Sequence, residues 1–196
     1  MRLDKFTIKS QEAIQEAQQF AASKGHQQVD PLHLLVCLLQ QRQGVVVPIL
    51  KKLGANSDEI HAKTQDAVES LPQVSGDQGQ YISNDLNDIL NKAIVEAGRL
   101  KDEYVSTEHL LIALADKKQG TAGKILFEVG VNKDDIFAAL KDIRGSQRIT
   151  DQNPEEKRQG AFADVERGKG IGVGADPVEC GLAETQDPAK TPDQAK

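Results

Sequence analysis

The apolar residues along the first 145 positions recur at intervals of three and four, which is the spacing of one face of an α-helix. The first such stretch follows Thr7, a suitable N-cap, and stops before Gly25. The second follows Asp30 and Pro31, an N-cap and a first helical residue that needs no N–H. With two shorter stretches after it, the pattern predicts four helices over residues 1–72.

Glycine and asparagine residues mark the remaining helix boundaries in this segment. Gly44 is expected to end the second helix, and Gly54 to end the third by taking a left-handed backbone conformation. Asn56 is expected to cap the fourth helix, and Glu59, three residues later, to complete a capping box.

The whole pattern occurs a second time at an offset of 76 positions. "VDPLHLLVCLL" at residues 29–39 matches "VSTEHLLIALA" at 105–115, and the matches continue without a gap on both sides. Ser83, Ser106 and Asn132 take the cap positions, Gly120 and Gly130 the stops. An ungapped internal repeat of this kind predicts two copies of one structural unit.

The repeat predicts an all-α fold, an eight-helix pseudo-twofold domain made of two four-helix units. Repeat 1 covers residues 1–72, a linker 73–82, repeat 2 residues 83–146, and a disordered tail 147–196. One unit alone offers too few large apolar side chains to offset the entropy of ordering its chain. The two repeats are therefore expected to pack together as one compact domain.

The histidine in each "HLL" block has a structural interpretation. His33 and His109 each stand three residues after a cap, where a side chain can hydrogen-bond back to the capping residue. A metal site would need three or four ligands, but His26 and His61 correspond to Asp102 and Phe137 in the second copy. A catalytic base would need a nucleophile that neither copy supplies.

Composition narrows the classes of function. The net charge is −6, which argues against general binding to nucleic acid or to an anionic membrane. We expect neither as a partner, and we expect no secretory signal, because the first residues lack an apolar stretch. No apolar run is long enough to span a bilayer. Cys37 lies in an apolar helical stripe and Cys180 in the polar tail, which favours free thiols and a cytoplasmic protein.

The tail carries one glycine-rich stretch that we tested as a phosphate loop. In "RGKGIGVGADP" a glycine, Gly170, follows Lys169, where a Walker loop needs Ser or Thr. The glycines also have the wrong spacing for a dinucleotide loop. We expect no cofactor, and we interpret the stretch as a flexible segment.

Three stretches resemble a known family. "MRLDKFTIKSQEAIQEAQQFA", the two "HLL" blocks and "RGSQRITDQNPEEK" are similar to the start of the ClpB family of ring-forming AAA+ disaggregases. The resemblance covers about residues 1–158 and implies an eight-helix domain that contacts unfolded or aggregated polypeptide. It implies client contacts at Thr7, Asp102, Glu108 and Leu110, in a groove at the repeat junction with carboxylates at its rim. Each also has a structural interpretation, as a helix start, a loop or the core.

The chain departs from that family after "NPEEKRQ", where the family continues into a nucleotide-binding domain. No Walker A or B segment follows, so we expect no ATP hydrolysis and no enzyme activity. The expected function is substrate recognition without the ATP-driven motor. The alternative is an adaptor-docking or regulatory scaffold of a Clp machine, with adaptor proteins or full-length ClpB-family chains as partners.

Overall fold

The computed structural model describes residues 3–42, 44–74, 79–116, 120–145 and 147–154. A 3₁₀ turn (Leu3–Lys5) precedes the first helix, and two strands of two residues each form the only sheet of the described part. Within these residues each predicted repeat forms four α-helices. They are α1 (Ile8–Ser23), α2 (Pro31–Gln40), α3 (Val46–Lys52), α4 (Ser57–Glu69), α5 (Asn84–Arg99), α6 (Thr107–Asp116), α7 (Thr121–Glu128) and α8 (Lys133–Arg144).

Side-chain caps start most of these helices where the sequence predicted them. Thr7 accepts a hydrogen bond from the Ser10 N–H at 3.3 Å, and Ser83 accepts one from the Leu86 N–H at 2.9 Å. The side chains of Asp30, Asn56 and Asn132 cap α2, α4 and α8 in the same way. These bonds satisfy N–H groups that have no partner within the helix.

Two predictions at helix boundaries were wrong. Gly44 does not end α2, which finishes at Gln40. The segment between Asp116 of α6 and Gly120 lies outside the described residues, and Gly120 itself has φ −80° and is the N-cap of α7. The carboxylate of Glu59 pairs with Lys63 at 3.0 Å rather than closing a capping box.

Two short strand pairings join the repeats, and the pseudo-twofold relation exchanges one pairing with the other. β1 (Gln28–Val29) pairs in parallel with β2 (Tyr81–Ile82), which lies in the predicted linker. An isolated parallel bridge joins Phe6 to Val105. Because Phe6 corresponds to Ile82, and Val29 to Val105, at the offset of 76, the two pairings are equivalent. Each repeat therefore supplies one strand segment to each of the two pairings, which together form the crossing of the repeats.

The helices enclose one shared core. Helices α1 and α2 pack against α6, α4 against α7, and α3 against α8, so the interior is continuous across the repeat boundary. It is built almost entirely of Leu, Ile, Val and Ala. Cys37 belongs to it, and burial, with a smaller contribution from Glu16, raises the pKa of its thiol to about 12.

The first residues of the predicted tail pack onto the domain. Ile149 is buried, its carbonyl accepts from the Glu103 N–H at 2.8 Å, and the Gln152 carbonyl accepts from the Ile8 N–H at 2.8 Å. The composition of this segment hid the packing, because one buried apolar residue carries it. The remainder of the predicted disordered tail, 155–196, lies outside the described residues, as do linker residues 75–78.

Candidate functional site

The two "HLL" histidines tie down the starts of α2 and α6. His33 Nδ1 accepts a hydrogen bond from the Asp30 N–H at 2.9 Å, and His109 Nδ1 accepts one from the Ser106 N–H at 2.9 Å. The predicted back-bonding from the third helical position is confirmed. Because a backbone N–H donates to each Nδ1, the ring proton of each neutral histidine resides on Nε2.

The Nε2 atoms of these histidines find different partners in the two repeats. His33 Nε2 lies 2.8 Å from His26 Nδ1, whereas His109 Nε2 lies 3.0 Å from Asp102 Oδ2. His26 and Asp102 occupy equivalent positions at the offset of 76. Burial, followed by the neighbouring His26, lowers the pKa of His33 to about 4, and burial also lowers the pKa of His26. The "HLL" histidine of repeat 1 is thus paired with a second imidazole, whereas the "HLL" histidine of repeat 2 is paired with a carboxylate.

That carboxylate belongs to a buried charged network in repeat 2. Arg144 donates to Asp102 Oδ2 at 2.5 Å and to Glu108 Oε1 at 2.8 Å, and the Ile149 N–H donates to Asp102 Oδ1 at 2.7 Å. Burial alone would raise the pKa of Asp102, but bonds from His109, Ile149 and Arg144 outweigh it and hold the pKa below its ordinary value. Burial alone would lower the pKa of Arg144, but the carboxylates of Glu108 and Asp102 outweigh burial and raise that pKa above its ordinary value.

The fold itself does not require these charges. At the offset of 76, Glu108 and Arg144 correspond to Leu32 and Val68, which are buried apolar residues of α2 and α4. Repeat 1 therefore builds the same pair of helices without an ion pair. Since a buried ion pair seldom stabilises a fold more than apolar packing does, the network is a specialisation of repeat 2 rather than part of the shared scaffold.

The four residues selected from the sequence all lie inside the structure. Thr7, Glu108 and Leu110 are fully buried, and so is the side chain of Asp102. The structure brings Asp102 and Glu108 together on one guanidinium. It places Thr7 at the crossing of the repeats, where its N–H donates to the Val105 carbonyl at 2.9 Å, and Leu110 in the core. The carboxylates thus do not stand at the rim of a groove, and client contact by the four residues stays a prediction.

An open cleft adjoins the charged network. Arg144 lines one side of it, and it has a volume of about 400 Å³ between the end of α5, helix α8 and residues 147–148. Leu100, Phe137 and Leu140 supply apolar surface. Exposed cationic side chains surround them, and the described residues lining the cleft include no acidic one. The exposed cations of the cleft include Lys101, Lys141 and Arg148.

Sequence reasoning did not find this cleft. Its side chains lie up to 49 positions apart and come together only when α8 packs beside the end of α5. One signal was available, since Lys101 stands where repeat 1 has Gly25, the residue that ends α1. A lysine at a helix-stop position is unusual enough to have directed attention to this surface.

In the part of the chain that the structure describes, no three His, Cys, Asp or Glu residues are arranged to hold a metal ion. None of the described helices is long and apolar enough to cross a membrane.

Comparison with known proteins decides the family. The model of the Clp repeat (R) N-terminal domain matches residues 5–129. The chain belongs to the Clp N-terminal domain family. The chaperone protein ClpB of Rhodopirellula baltica is 39% identical to it over 158 residues, which cover 81% of this chain and 18% of that protein. ClpB of Nitratidesulfovibrio vulgaris is 40% identical over 161 residues, covering 80% of this chain and 19% of that protein.

Solved Clp N-domains have the same fold. The Hsp104 N-terminal domain from Candida albicans superposes with a TM-score of 0.67 at 24% identity, covering 76% of this chain and 98% of that one. A ClpV N-domain in complex with VipB peptide superposes with a TM-score of 0.60 at 20% identity, covering 76% and 92%. The present chain spans about a fifth of the length of the ClpB proteins it matches, so the comparison concerns their N-terminal regions.

Proposed function

We propose that this Clp N-domain is the substrate-recognition domain of a ClpB-type chaperone and binds exposed segments of unfolded or aggregated polypeptides. The observation that carries the proposal is the open cleft of repeat 2, whose apolar surface is held beside a buried charged network that repeat 1 lacks. Relatives over four fifths of the chain are ClpB chaperones. A domain of the same fold forms a complex with a peptide.

In the proposed mechanism, an apolar client side chain enters the cleft and covers Phe137 and Leu100. Both are half-buried in the free domain, so a client removes the rest of their surface from water. The contact area is small, so binding is weak and reversible. The domain binds rather than catalyses, uses no cofactor, and acts in the cytoplasm.

The four predicted residues act in this mechanism from beneath the surface. Asp102 and Glu108 hold the guanidinium of Arg144 against one side of the cleft. Thr7 fixes the start of α1 at the repeat crossing, and Leu110 anchors α6 in the core. In the proposal they set the shape of the client site, and their direct contact with a client would require the network to open.

A second candidate is the docking of a folded adaptor or regulatory protein. The exposed cations around the cleft favour it, because charges at the edge of an interface steer folded partners and set their specificity. The two functions differ in the state of the partner. An unfolded client offers short apolar segments, whereas an adaptor offers a fixed surface.

The experiment that separates them compares one partner in two states. A reduced and alkylated protein that cannot refold, and its native form, are titrated separately into the isotope-labelled chain and followed by NMR. Client recognition predicts amide shifts at Leu100, Phe137 and Leu140 with the unfolded form only. Shifts elsewhere, or none, would contradict the proposed site, and recovery of folded partners alone from a cell extract would favour the adaptor function.

A matched pair of variants tests the cleft itself. Phe137→Ser is expected to weaken binding of the unfolded protein about tenfold, because an aromatic side chain at the centre of a contact supplies a large share of its affinity. Phe127→Ser is the control, since Phe127 is 61% exposed on α7 and does not line the cleft. Equal affinities of the two variants, measured by fluorescence anisotropy, would exclude the cleft as the client site.

A further inference from the structure

The cationic rim gives the cleft a preference that the apolar surface alone would not have. We propose that the cleft of repeat 2 selects acidic polypeptide segments, in which one or more carboxylates flank an apolar side chain. The inference rests on the proposed function and names the class of segment that the site takes. Three observations carry it.

The first observation concerns which charges are available. Arg99 pairs with Glu96 at 3.1 Å, and Arg144 is occupied by Asp102 and Glu108. Lys101, Lys141 and Arg148 are exposed, and none of the three forms an ion pair with another described residue. Three cations without a carboxylate partner among the described residues thus face one cleft of a chain whose net charge is −6. Their local field attracts carboxylates and repels cationic segments.

The second observation is the backbone of Lys101. Its φ is +59°, and it is the one non-glycine residue with a positive φ in the described ranges. The equivalent residue in repeat 1 is Gly25, with φ +70°, and Gly54 and Gly130 take the same conformation after α3 and α7. A side chain with a Cβ is strained there, so the helix end is better served by glycine. The lysine at this position contributes a charge to the cleft at a cost to the backbone.

The third observation is the absence of these charges from the matching face of repeat 1. At the offset of 76, Lys141 corresponds to Gln65 and Arg148 to Pro72, just as Lys101 corresponds to Gly25. The scaffold is therefore formed equally well by neutral residues at all three positions. The cations belong to the binding surface rather than to the architecture.

An acidic polypeptide fits this surface better than a nucleic acid does. The apolar surface of Leu100, Phe137 and Leu140 accepts a leucine or aromatic side chain, and the cations lie around it rather than along a track that would follow phosphates. Each exposed ion pair contributes little and is screened by salt, so the cations bias the choice of segment and the apolar contact supplies the affinity.

The test uses the full chain and three peptides that share a central Leu-Phe pair. The pair is flanked by glutamates, by serines or by lysines, and binding is followed by fluorescence anisotropy. At low salt the acidic peptide is expected to bind about fivefold tighter than the serine peptide, and the lysine peptide more weakly than either. The differences are expected to shrink at an ionic strength of about 1 M, where the Debye length falls to about 3 Å.

A double variant connects the preference to the cleft. Lys101→Gly with Lys141→Gln installs the residues that repeat 1 already carries, so the fold is retained, and the acidic peptide should then bind no tighter than the serine peptide. Lys63→Gln with Lys124→Gln removes the same charge at positions that do not line the cleft, and it should keep the preference. Circular dichroism checks that both variants are folded.

The outcomes distinguish this inference from the function on which it rests. Equal binding of all three peptides overturns the acidic preference and leaves client recognition standing, whereas no binding by the peptides or by an unfolded protein overturns both. A preference that survives the Lys101/Lys141 double variant assigns it to another surface and overturns the inference. So does a single-stranded oligonucleotide that displaces the acidic peptide at a lower concentration than the unlabelled peptide does.

Discussion

The imidazole of His33 is held neutral by two hydrogen bonds that only one tautomer can make. Its Nδ1 accepts from the Asp30 N–H, so its Nε2 carries the proton and donates to His26 Nδ1. The proton of His26 then sits on Nε2, which is buried and has no hydrogen-bond partner among the described residues. A proton added to either ring must break one of these bonds or place a charge in the interior.

This pair predicts a loss of stability in weak acid. An exposed histidine in the unfolded chain binds a proton near pH 6.5, whereas His33 in the folded chain resists protonation until about pH 4. As the pH falls from 6.5 to 4, protons therefore favour the unfolded state, by about 3 kcal/mol in total, and above pH 6.5 His33 adds no pH dependence. Urea unfolding at a series of pH values measures the effect.

His33→Gln provides the comparison for that measurement. A glutamine at this position can still accept from the Asp30 N–H but cannot titrate, so the slope of stability against pH should flatten between pH 6.5 and 4. His61→Gln removes one imidazole from α4 outside the pair and serves as the control for the loss of a histidine. If the wild type shows no slope in this range, His33 is not held neutral by the fold.

The position of His33 at the start of a helix was predictable from the sequence, but its contact with His26 was not. A cap followed three residues later by a polar side chain is a local pattern. That contact depends on the turn after α1, where Gly25 takes a left-handed backbone conformation. The charged partners of Arg144 are further still from local pattern, because Asp102, Glu108 and Arg144 meet only after α8 packs on α6.

At the level of helices, the ends of α1, α3, α5 and α7 share one geometry. The N–H of the third residue after the helix donates to a carbonyl five residues earlier, and the residue just before that donor takes a positive φ. The bonds run from His26 to Ala21, Ala55 to Leu50, Asp102 to Ala97 and Val131 to Leu126, at 2.8–3.0 Å. Three of the ends use glycine at the left-handed position, and the end of α5 uses Lys101.

Lys101→Gly is therefore expected to stabilise the domain. Relief of the left-handed strain should raise the free energy of unfolding by about 1 kcal/mol, seen as a higher urea midpoint at unchanged slope. The converse change, Gly25→Lys, should lower it by about the same amount, because a Cβ at Gly25 meets no atom within 4 Å and only the backbone resists. A lower midpoint for Lys101→Gly would mean that the lysine stem stabilises the fold by more than the strain costs.

Glycine alone was a poor guide to where helices end. Gly54 and Gly130 were predicted correctly, since each follows the last apolar residue of its helical pattern, Leu53 or Val129, and takes a positive φ. Gly44 was also predicted to end a helix, yet α2 stops four residues before it. The backbone of Gln41 becomes extended after α2, and its side-chain amide donates to the Lys9 carbonyl at 2.8 Å. Such a contact with another helix cannot be read from local pattern.

Over the whole molecule, the two repeats complete one another. The segment before α1 pairs with the segment before α6, and the segment before α5 pairs with the one before α2. The shared core and the pseudo-twofold were predictable because the offset of 76 gives two equal units, each too small to bury its own apolar faces. The cleft was not predictable, because it is lined by residues at which the two repeats differ.

A chain cut between the repeats tests this interdependence. Alone, residues 1–74 would expose the faces of α1 and α2 that pack on α6, and residues 79–154 would lose the strand partner of β2. Domains of this size bury only about 60% of their surface even when complete, so neither fragment is expected to fold. Mixed at equal concentration, the fragments should regain helical circular dichroism with a concentration-dependent midpoint, since the interface is then intermolecular. A cooperative thermal transition from either fragment alone would show that a single repeat carries a sufficient core.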